Sequence, residues 1–63
     1  MKARDLTPAC IGRQIRVERD RPIEGKLTGM VVYRGEDGYL DLTVTVGSRI
    51  VMLTGDEPVS ITG

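Results

Sequence analysis

Hydrophobic and polar residues alternate along much of the chain, which is the pattern of strands that bury one face. The alternation is clearest in residues 39–46, where every second residue is Leu or Val and those between them are Tyr, Asp or Thr. Side chains of an extended chain point to opposite faces in turn, so a period of two indicates a half-buried strand. Five segments of this kind predict five strands, at residues 13–19, 23–33, 39–46, 49–54 and 59–61.

Glycine, proline and aspartate separate these segments. The Asp37-Gly38 pair is a strong hairpin signal, and no segment carries apolar residues at helical spacing over two turns. The exception to the strand pattern is the N-terminal region, where Pro8 suits the first helical position and Gly12 ends the helix. Residues 7–11 are therefore predicted to form a short helix or 3₁₀ turn that covers one end of the fold.

The second predicted strand is long and contains two glycines. A period of two puts Gly25 and Gly29 on the same inward face as Leu27, Val31 and Tyr33. Two inward positions without a side chain let a strand bend sharply, as small barrels require. The sequence therefore predicts an all-β fold, a five-stranded strongly bent small barrel with a short N-terminal cap helix. Its expected core consists of Leu6, Ile11, Ile15, Val17, Leu27, Val31, Leu40, Leu42, Val44, Val51, Leu53, Val59 and Ile61.

Two local patterns carry a resemblance to a known family. Residues 11–17 (IGRQIRV) are similar to the opening strand of Sm-like proteins, in which a hydrophobic residue and a glycine precede a basic residue and alternating valines. Residues 25–30 (GKLTGM) are similar to the glycine-flanked bend of that family, and a looser likeness follows in residues 53–61. The chain thus resembles Sm-like small barrels, whose plan Src-homology-type domains share, mainly over residues 6–33.

The resemblance implies an architecture and a mode of assembly. Sm-like barrels pair exposed edge strands between subunits and form rings, and an open edge strand is a template for such pairing. The nucleotide pocket of the family uses an Asp just after the bend and an Asn a few residues on. Here Met30 and Val31 follow the bend, Asp41 lies between two leucines, and the chain contains no Asn. The RNA-binding residues of the family are therefore not carried over to this chain.

Length and composition exclude several classes of protein. The chain has 63 residues, enough for one small domain over residues 1–63, and its formal net charge is zero. It has no His and a single cysteine, Cys10, so a disulfide, a closed zinc site, a Ser-His-Asp triad or a Cys-His pair cannot form within one chain. We therefore expect no enzyme activity, no cofactor and no metal site. Because no apolar run approaches the ~20 residues that span a bilayer, and the charged first residues are unlike a signal peptide, we expect a cytoplasmic protein.

The charges are unevenly distributed along the chain. Residues 1–34 hold eight basic and four acidic side chains, whereas residues 35–63 hold one basic and five acidic. The two halves interleave in a five-stranded barrel, so a solvated surface of mixed sign is one interpretation. The other is electrostatic complementarity between identical subunits, with the basic patch of one copy against the acidic patch of the next.

The fourth predicted strand indicates a function in assembly. Residues 49–54 are apolar on both faces, so either the strand is central or one face meets a partner. We expect a non-enzymatic assembly or protein-interaction module, a homo-oligomer built by edge-strand pairing, such as an accessory protein of a virus or mobile element. The interface residues expected from this pattern are Ile50, Met52, Leu53, Val59 and Ile61.

A second class of function, RNA or DNA binding, stays open at this point. The basic residues of the first two strands would form a face that binds nucleic acid in a salt-dependent way. Only Tyr33 and Tyr39 are aromatic, so few stacking partners are available, and acidic residues interrupt the basic cluster. Cross-strand ion pairs on a solvated sheet are the simpler interpretation. The candidate nucleic-acid-binding residues are Arg13, Arg16, Arg19, Arg21 and Lys26.

Overall fold

A computed structural model describes residues 1–63 and contains the five predicted strands. They are β1 (Gln14–Val17), β2 (Ile23–Arg34), β3 (Leu40–Val46), β4 (Arg49–Thr54) and β5 (Val59–Ile61). The predicted 3₁₀ turn is present at Pro8–Cys10, and a second one, which the sequence pattern did not indicate, lies at Ala3–Asp5. Neither of these helical turns has the length or the apolar character to cross a membrane.

All five strands belong to one antiparallel sheet in the order β4-β3-β2-β1-β5. The first part of β2 pairs with β1, and its part from Leu27 onward pairs with β3, so β2 links the two halves of the sheet. The mostly-β architecture and its five strands are confirmed. The predicted closure into a barrel is wrong, because the two edge strands, β4 and β5, are not paired with each other.

The first residues of the chain lie along β5 and explain why the sheet stays open. The N–H of Ala3 donates to the carbonyl of Glu57 (2.8 Å), and the N–H of Val59 donates to the carbonyl of Met1 (2.9 Å). Ala3 is fully buried beneath these bonds. This segment takes hydrogen bonds that a ladder between β4 and β5 would need, because backbone groups at a buried edge must find a partner somewhere.

A β-bulge in β2 reverses the faces predicted for the second half of that strand. Leu27 pairs with Val46, but Gly29 pairs with Thr45, so Thr28 has no partner on β3. One extra residue shifts the alternation by one, and every side chain beyond it points to the opposite face. The bend in β2 is therefore made by a bulge at Thr28 and not by glycines alone.

The bulge corrects three predictions. Val31 and Tyr33, which the period of two placed inward, lie on the outer face opposite Thr43 and Asp41 and are 50% and 58% exposed. Gly29 lies on the outer face as well, where an added Cβ would make only ordinary van der Waals contacts. At Gly25 the backbone of β2 lies close to Val46. A Cβ at this position would lie 3.0 Å from a methyl carbon of Val46, so a glycine is needed here.

The hydrophobic core lies inside the curl of the sheet, and its composition differs from the prediction at a few positions. Ile11 is exposed, because it leaves the Pro8–Cys10 turn in an extended conformation. Leu40 and Ile61 are half-buried, because they are the end residues of their strands. Met30 packs against the core on the face to which the sequence pattern assigned Val31. The eleven buried apolar residues are Ala3, Leu6, Ile15, Val17, Leu27, Leu42, Val44, Val46, Val51, Leu53 and Val59.

Candidate functional site

The outer face of one half of the sheet is rich in apolar side chains. The strand register aligns Val31 of β2, Thr43 of β3 and Met52 of β4 in one row across the sheet. The neighbouring row contains Thr45 and Ile50. We name this surface the apolar face and define it by Val31, Tyr33, Thr43, Thr45, Ile50 and Met52.

The four large side chains of the apolar face are largely accessible. Ile50 and Met52 on β4 are 72% and 76% exposed, and Val31 and Tyr33 on β2 are at least half exposed. They lie in adjacent rows on β2 and β4, with Thr43 and Thr45 of β3 between the two strands, so they belong to one outer surface. Contiguous apolar surface of this kind marks interaction sites on small proteins.

The strand that carries Ile50 and Met52 also has an open edge. In an antiparallel pair, every second residue directs its N–H and C=O away from the partner strand. The carbonyl of Met52 accepts a hydrogen bond from Arg19 and not from β3, so Ile50, Met52 and Thr54 direct their main-chain groups toward the edge. The carbonyl of Thr54 accepts the N–H of Glu57 (3.1 Å). Ile50 is left to present both of its main-chain groups at the edge.

An ion pair lies against this edge and joins two turns of the chain. The Nε of Arg19 donates to Oε1 of Glu57 (3.0 Å), and Nη2 donates to Oε2 (2.9 Å) and to the carbonyl of Met52. The hydrogen bonds to Glu57, together with its negative charge, raise the pKa of Arg19 above its ordinary value, so the guanidinium stays charged. We name the pair of Arg19 and Glu57 the edge clamp, because it holds one of the free carbonyl groups of β4.

A shallow groove of about 360 Å³ is lined both by the edge clamp and by part of the apolar face. Tyr33 and Met52 contribute apolar surface to it, and Asp41 and Thr54 contribute polar groups. An apolar centre with charged groups at the rim is the composition of a protein–protein contact surface. The arrangement is suited to binding another polypeptide.

A second depression, of about 410 Å³, lies between the β2–β3 hairpin and the turn that follows β4. Arg4, Arg34, Asp41 and Asp56 are among its lining residues, and Arg4 is ion-paired with Asp56. Charges of both signs surround this depression. It therefore lacks the single-sign field that would attract a phosphate or a cation.

The five basic residues considered for nucleic-acid binding are not brought together on one surface. Arg16 and Lys26 share the outer face of β1 and the first half of β2. Arg19 belongs to the edge clamp on the far edge of the sheet, and Arg13 donates to a main-chain oxygen at the end of the chain. Arg21 lies in the turn between β1 and β2.

The surface around Arg16 carries both signs of charge. Arg16 stands in a row between Glu24 on β2 and Ser60 on β5, and its Nε lies 3.5 Å from a carboxylate oxygen of Glu18. The hydroxyl of Ser60 donates to the same carboxylate oxygen (3.1 Å). We name this surface the charged face and define it by Gln14, Arg16, Glu18, Glu24, Lys26 and Ser60.

The five expected interface residues divide between the surface and the core. Ile50 and Met52 are exposed on the edge strand, and Ile61 is half-buried. Leu53 and Val59 are only 3% and 1% exposed, because they occupy inward positions of β4 and β5. Their side chains belong to the core and are not available for a contact between molecules.

The sequence pattern missed three residues of this site. A strict period of two places Val31 and Tyr33 on the inward face because it takes no account of the bulge, although an isolated glycine in a strand, here Gly29, is a signal for one. Glu57 was missed because Arg19, with which it pairs, is 38 positions away in the sequence. No local pattern signals a contact over that separation.

Comparisons with protein-family models, with curated proteins and with solved structures found no match. The apolar face, the open edge of β4 and the edge clamp are therefore the features from which a function is inferred.

Proposed function

We propose that this chain is a non-enzymatic interaction module that assembles with further copies of itself by edge-strand pairing at β4. The observation that carries the proposal is the edge position of β4, with the side chains of Ile50 and Met52 72% and 76% exposed beside unpaired main-chain groups. An unpaired edge strand is a template for another strand. Burying two large apolar side chains at the same place stabilises the contact.

The resemblance to Sm-like small barrels is part of this proposal. The long β2, bent at its bulge, and the placement of β4 and β5 at the sheet edges support it. Members of that family assemble through such edges, so the likeness and the open edge point to the same kind of function. A role as a small accessory protein of a virus or mobile element, which acts by assembly, is the biological form that we propose.

The concentration dependence of the molecular mass tests the proposal. Sedimentation velocity of the wild type is expected to show a mass that rises from the 6.9 kDa monomer to a multiple of it. Met52→Lys places a charge at the pairing edge and is expected to keep the chain monomeric. Tyr39→Lys is the matched control, because Tyr39 is 67% exposed but lies outside β4 and the apolar face, and it should associate like the wild type. A wild type that stays monomeric up to about 1 mM would refute the proposal.

Nucleic-acid binding is the alternative, and only Arg16 and Lys26 on the charged face support it. It predicts that a labelled oligonucleotide binds at low salt, and that Arg16→Gln reduces the dependence of the binding constant on salt concentration. The acidic neighbours of Arg16, Glu18 and Glu24, weaken this alternative. Absence of any binding at low salt removes it.

A further inference from the structure

The two edges of the sheet are not equally available. On β5, the N–H of Val59 already donates to the carbonyl of Met1, and the preceding Pro58 forms an isolated bridge with Lys2. Ile61 is then the residue of β5 whose main-chain groups still face an open edge. On β4, the edge is open at Ile50 and is held only by a side chain at Met52. A ladder needs several bonds in succession, so β4 is the usable edge.

We propose that two copies of this chain pair through their β4 strands, antiparallel and related by a twofold axis, with Ile50 of each copy opposite Met52 of the other. This inference rests on the proposed function and specifies its partner and geometry. Pairing β4 of one copy to β5 of the next would need an edge that residues 1–3 cover. Pairing β4 to β4 uses the same surface on both copies, which is the requirement of a closed twofold contact.

The alternation of main-chain groups and the occupied carbonyl of Thr54 limit the register of this pairing. The residues of β4 that direct their N–H and C=O to the edge are Ile50, Met52 and Thr54. Placing Met52 opposite Met52 would pair Ile50 with Thr54, whose carbonyl is already occupied by the N–H of Glu57. Placing Ile50 opposite Met52 avoids that conflict. It also brings the four most exposed apolar side chains of the two strands into contact across the axis.

Charge complementarity selects a second copy as the occupant of this edge. The first residue of β4 is Arg49, which forms no ion pair within the chain. The other end of β4 lies beside acidic residues, since Asp41 is opposite Thr54 and Glu57 follows in the next turn. In an antiparallel pair, the Arg49 end of each strand lies against the acidic end of the other. The two ends of the edge are therefore complementary in charge between two antiparallel copies.

The edge clamp controls access to this edge. In the single chain, Arg19 occupies the carbonyl of Met52, which the N–H of Ile50 from a second copy would take in the pair. A charged side chain over an edge strand is a known means of suppressing unwanted pairing. Pairing therefore requires the guanidinium of Arg19 to leave this carbonyl while Glu57 stays at the acidic end of the strand. The clamp sets the concentration at which two copies associate.

Disulfide trapping tests the register. In a Cys10→Ala background, Ile50→Cys and Met52→Cys chains are mixed at equal concentration and oxidised, with each variant alone as the control. Residues opposite each other in an antiparallel pair lie within the Cα separation that a disulfide accepts. We expect the mixture to give a cross-linked heterodimer at least about threefold in excess of either homodimer. Efficient cross-linking of Met52→Cys with itself contradicts this register, and absence of any cross-link in a wild type that does self-associate contradicts β4–β4 pairing.

Removal of the guanidinium tests the clamp. Arg19→Gln is expected to lower the dissociation constant of the pair by about three- to tenfold, because one hydrogen bond no longer competes for the edge. Arg16→Gln, which removes the same charge from the charged face, is the matched control and should leave association unchanged. Thermal unfolding of both variants establishes that each is folded. An unchanged or weaker association of folded Arg19→Gln overturns the role of the clamp, and a monomeric wild type refutes the proposed function itself.

Discussion

The charged face and the apolar face are built on the same curled sheet, yet they present opposite chemistry to solvent. On the charged face, Arg16 is flanked by Glu18 and Glu24, so its polar groups are compensated locally. On the apolar face, Ile50 and Met52 have only threonines across the strand and stay exposed. The charges of the charged face are compensated within one molecule, whereas the large side chains of the apolar face are not covered within it. The comparison identifies the apolar face as the surface on which the proposed self-association depends.

The bulge in β2 is what allows one strand to serve both faces. Before Thr28 the outward residues of β2 are charged, as Glu24 and Lys26 are, and after it they are Val31 and Tyr33. Without the extra residue, Val31 and Tyr33 would point into the core and the apolar face would lose its β2 side. The separation of the two surfaces thus depends on a single unpaired residue.

The strongest test of the comparison asks whether the two faces belong to one folding unit. Leu42 is buried under the apolar face, and Leu42→Ala is expected to destabilise the chain by about 2–5 kcal/mol. A domain of this size has about 3–5 kcal/mol in total, so the charged half should unfold with the apolar half. Hydrogen exchange of the Ile15 and Val17 amides measures this. Protection of those amides in an otherwise unfolded variant would show that the halves are independent.

A pair of glycine variants tests the packing that joins the two halves. Gly25→Ala would bring a Cβ to 3.0 Å from Val46 and is expected to destabilise the fold by about 1–3 kcal/mol. At Gly29 there is room for a Cβ, and alanine is more favourable than glycine inside a strand. The stability of Gly29→Ala should therefore stay within about 0.5 kcal/mol of the wild type or rise. Urea unfolding of both variants gives the difference. If the two variants lost the same stability, the backbone at Gly25 would not lie unusually close to Val46.

The reversal of faces at the bulge can be tested with neighbouring residues. Met30→Asp puts a charge against the core and is expected to destabilise the chain by about 1–2 kcal/mol. Val31→Asp adds the same charge on the exposed apolar face and should change stability by less than about 0.5 kcal/mol. The midpoint of thermal unfolding separates the two. If Val31→Asp destabilised the chain more than Met30→Asp, Val31 would be the inward residue and β2 would have no bulge at Thr28.

The smallest effect is expected on the charged face. Glu24→Lys places a like charge opposite Arg16, and the free energy of unfolding should fall by about 0.2–1 kcal/mol at low salt. The loss should shrink in 1 M salt, where the Debye length is only about 3 Å. A salt-independent loss would indicate that Glu24 contributes through packing and that the charged face is not compensated in the way described.

The strands were predictable where the hydrophobic pattern is unambiguous. In β3 only one set of alternate residues is apolar, so Leu42, Val44 and Val46 could be assigned inward from the sequence. In β2 residues 30–33 are all apolar, and such a run fits either face, so the hydrophobic pattern does not show the register shift at Thr28. The isolated glycine, Gly29, is the signal that remains. The open sheet was not predictable either, because the bonds of Ala3 and Met1 to the region of β5 are long-range.

The candidate site was predictable to a similar extent. The two-sided apolar character of β4 predicts Ile50, Met52 and Leu53 together as interface residues and does not separate the two faces of the strand. In the structure Ile50 and Met52 are exposed, whereas Leu53 points to the inner side and is buried. The edge clamp depends on two turns that meet only in the folded chain. The sequence contains the charges of Arg19 and Glu57 but no local signal that pairs them.

The covering of β5 by residues 1–3 has a consequence for the size of any assembly. A molecule with one usable edge can add one neighbour and then has none left to offer, so growth ends at two. If those residues were displaced, the carbonyl and N–H of Val59 would be freed and each molecule would have two unlike edges. Such molecules join head to tail, and the product would be a ring where the rotation between neighbours closes and a fibre where it does not.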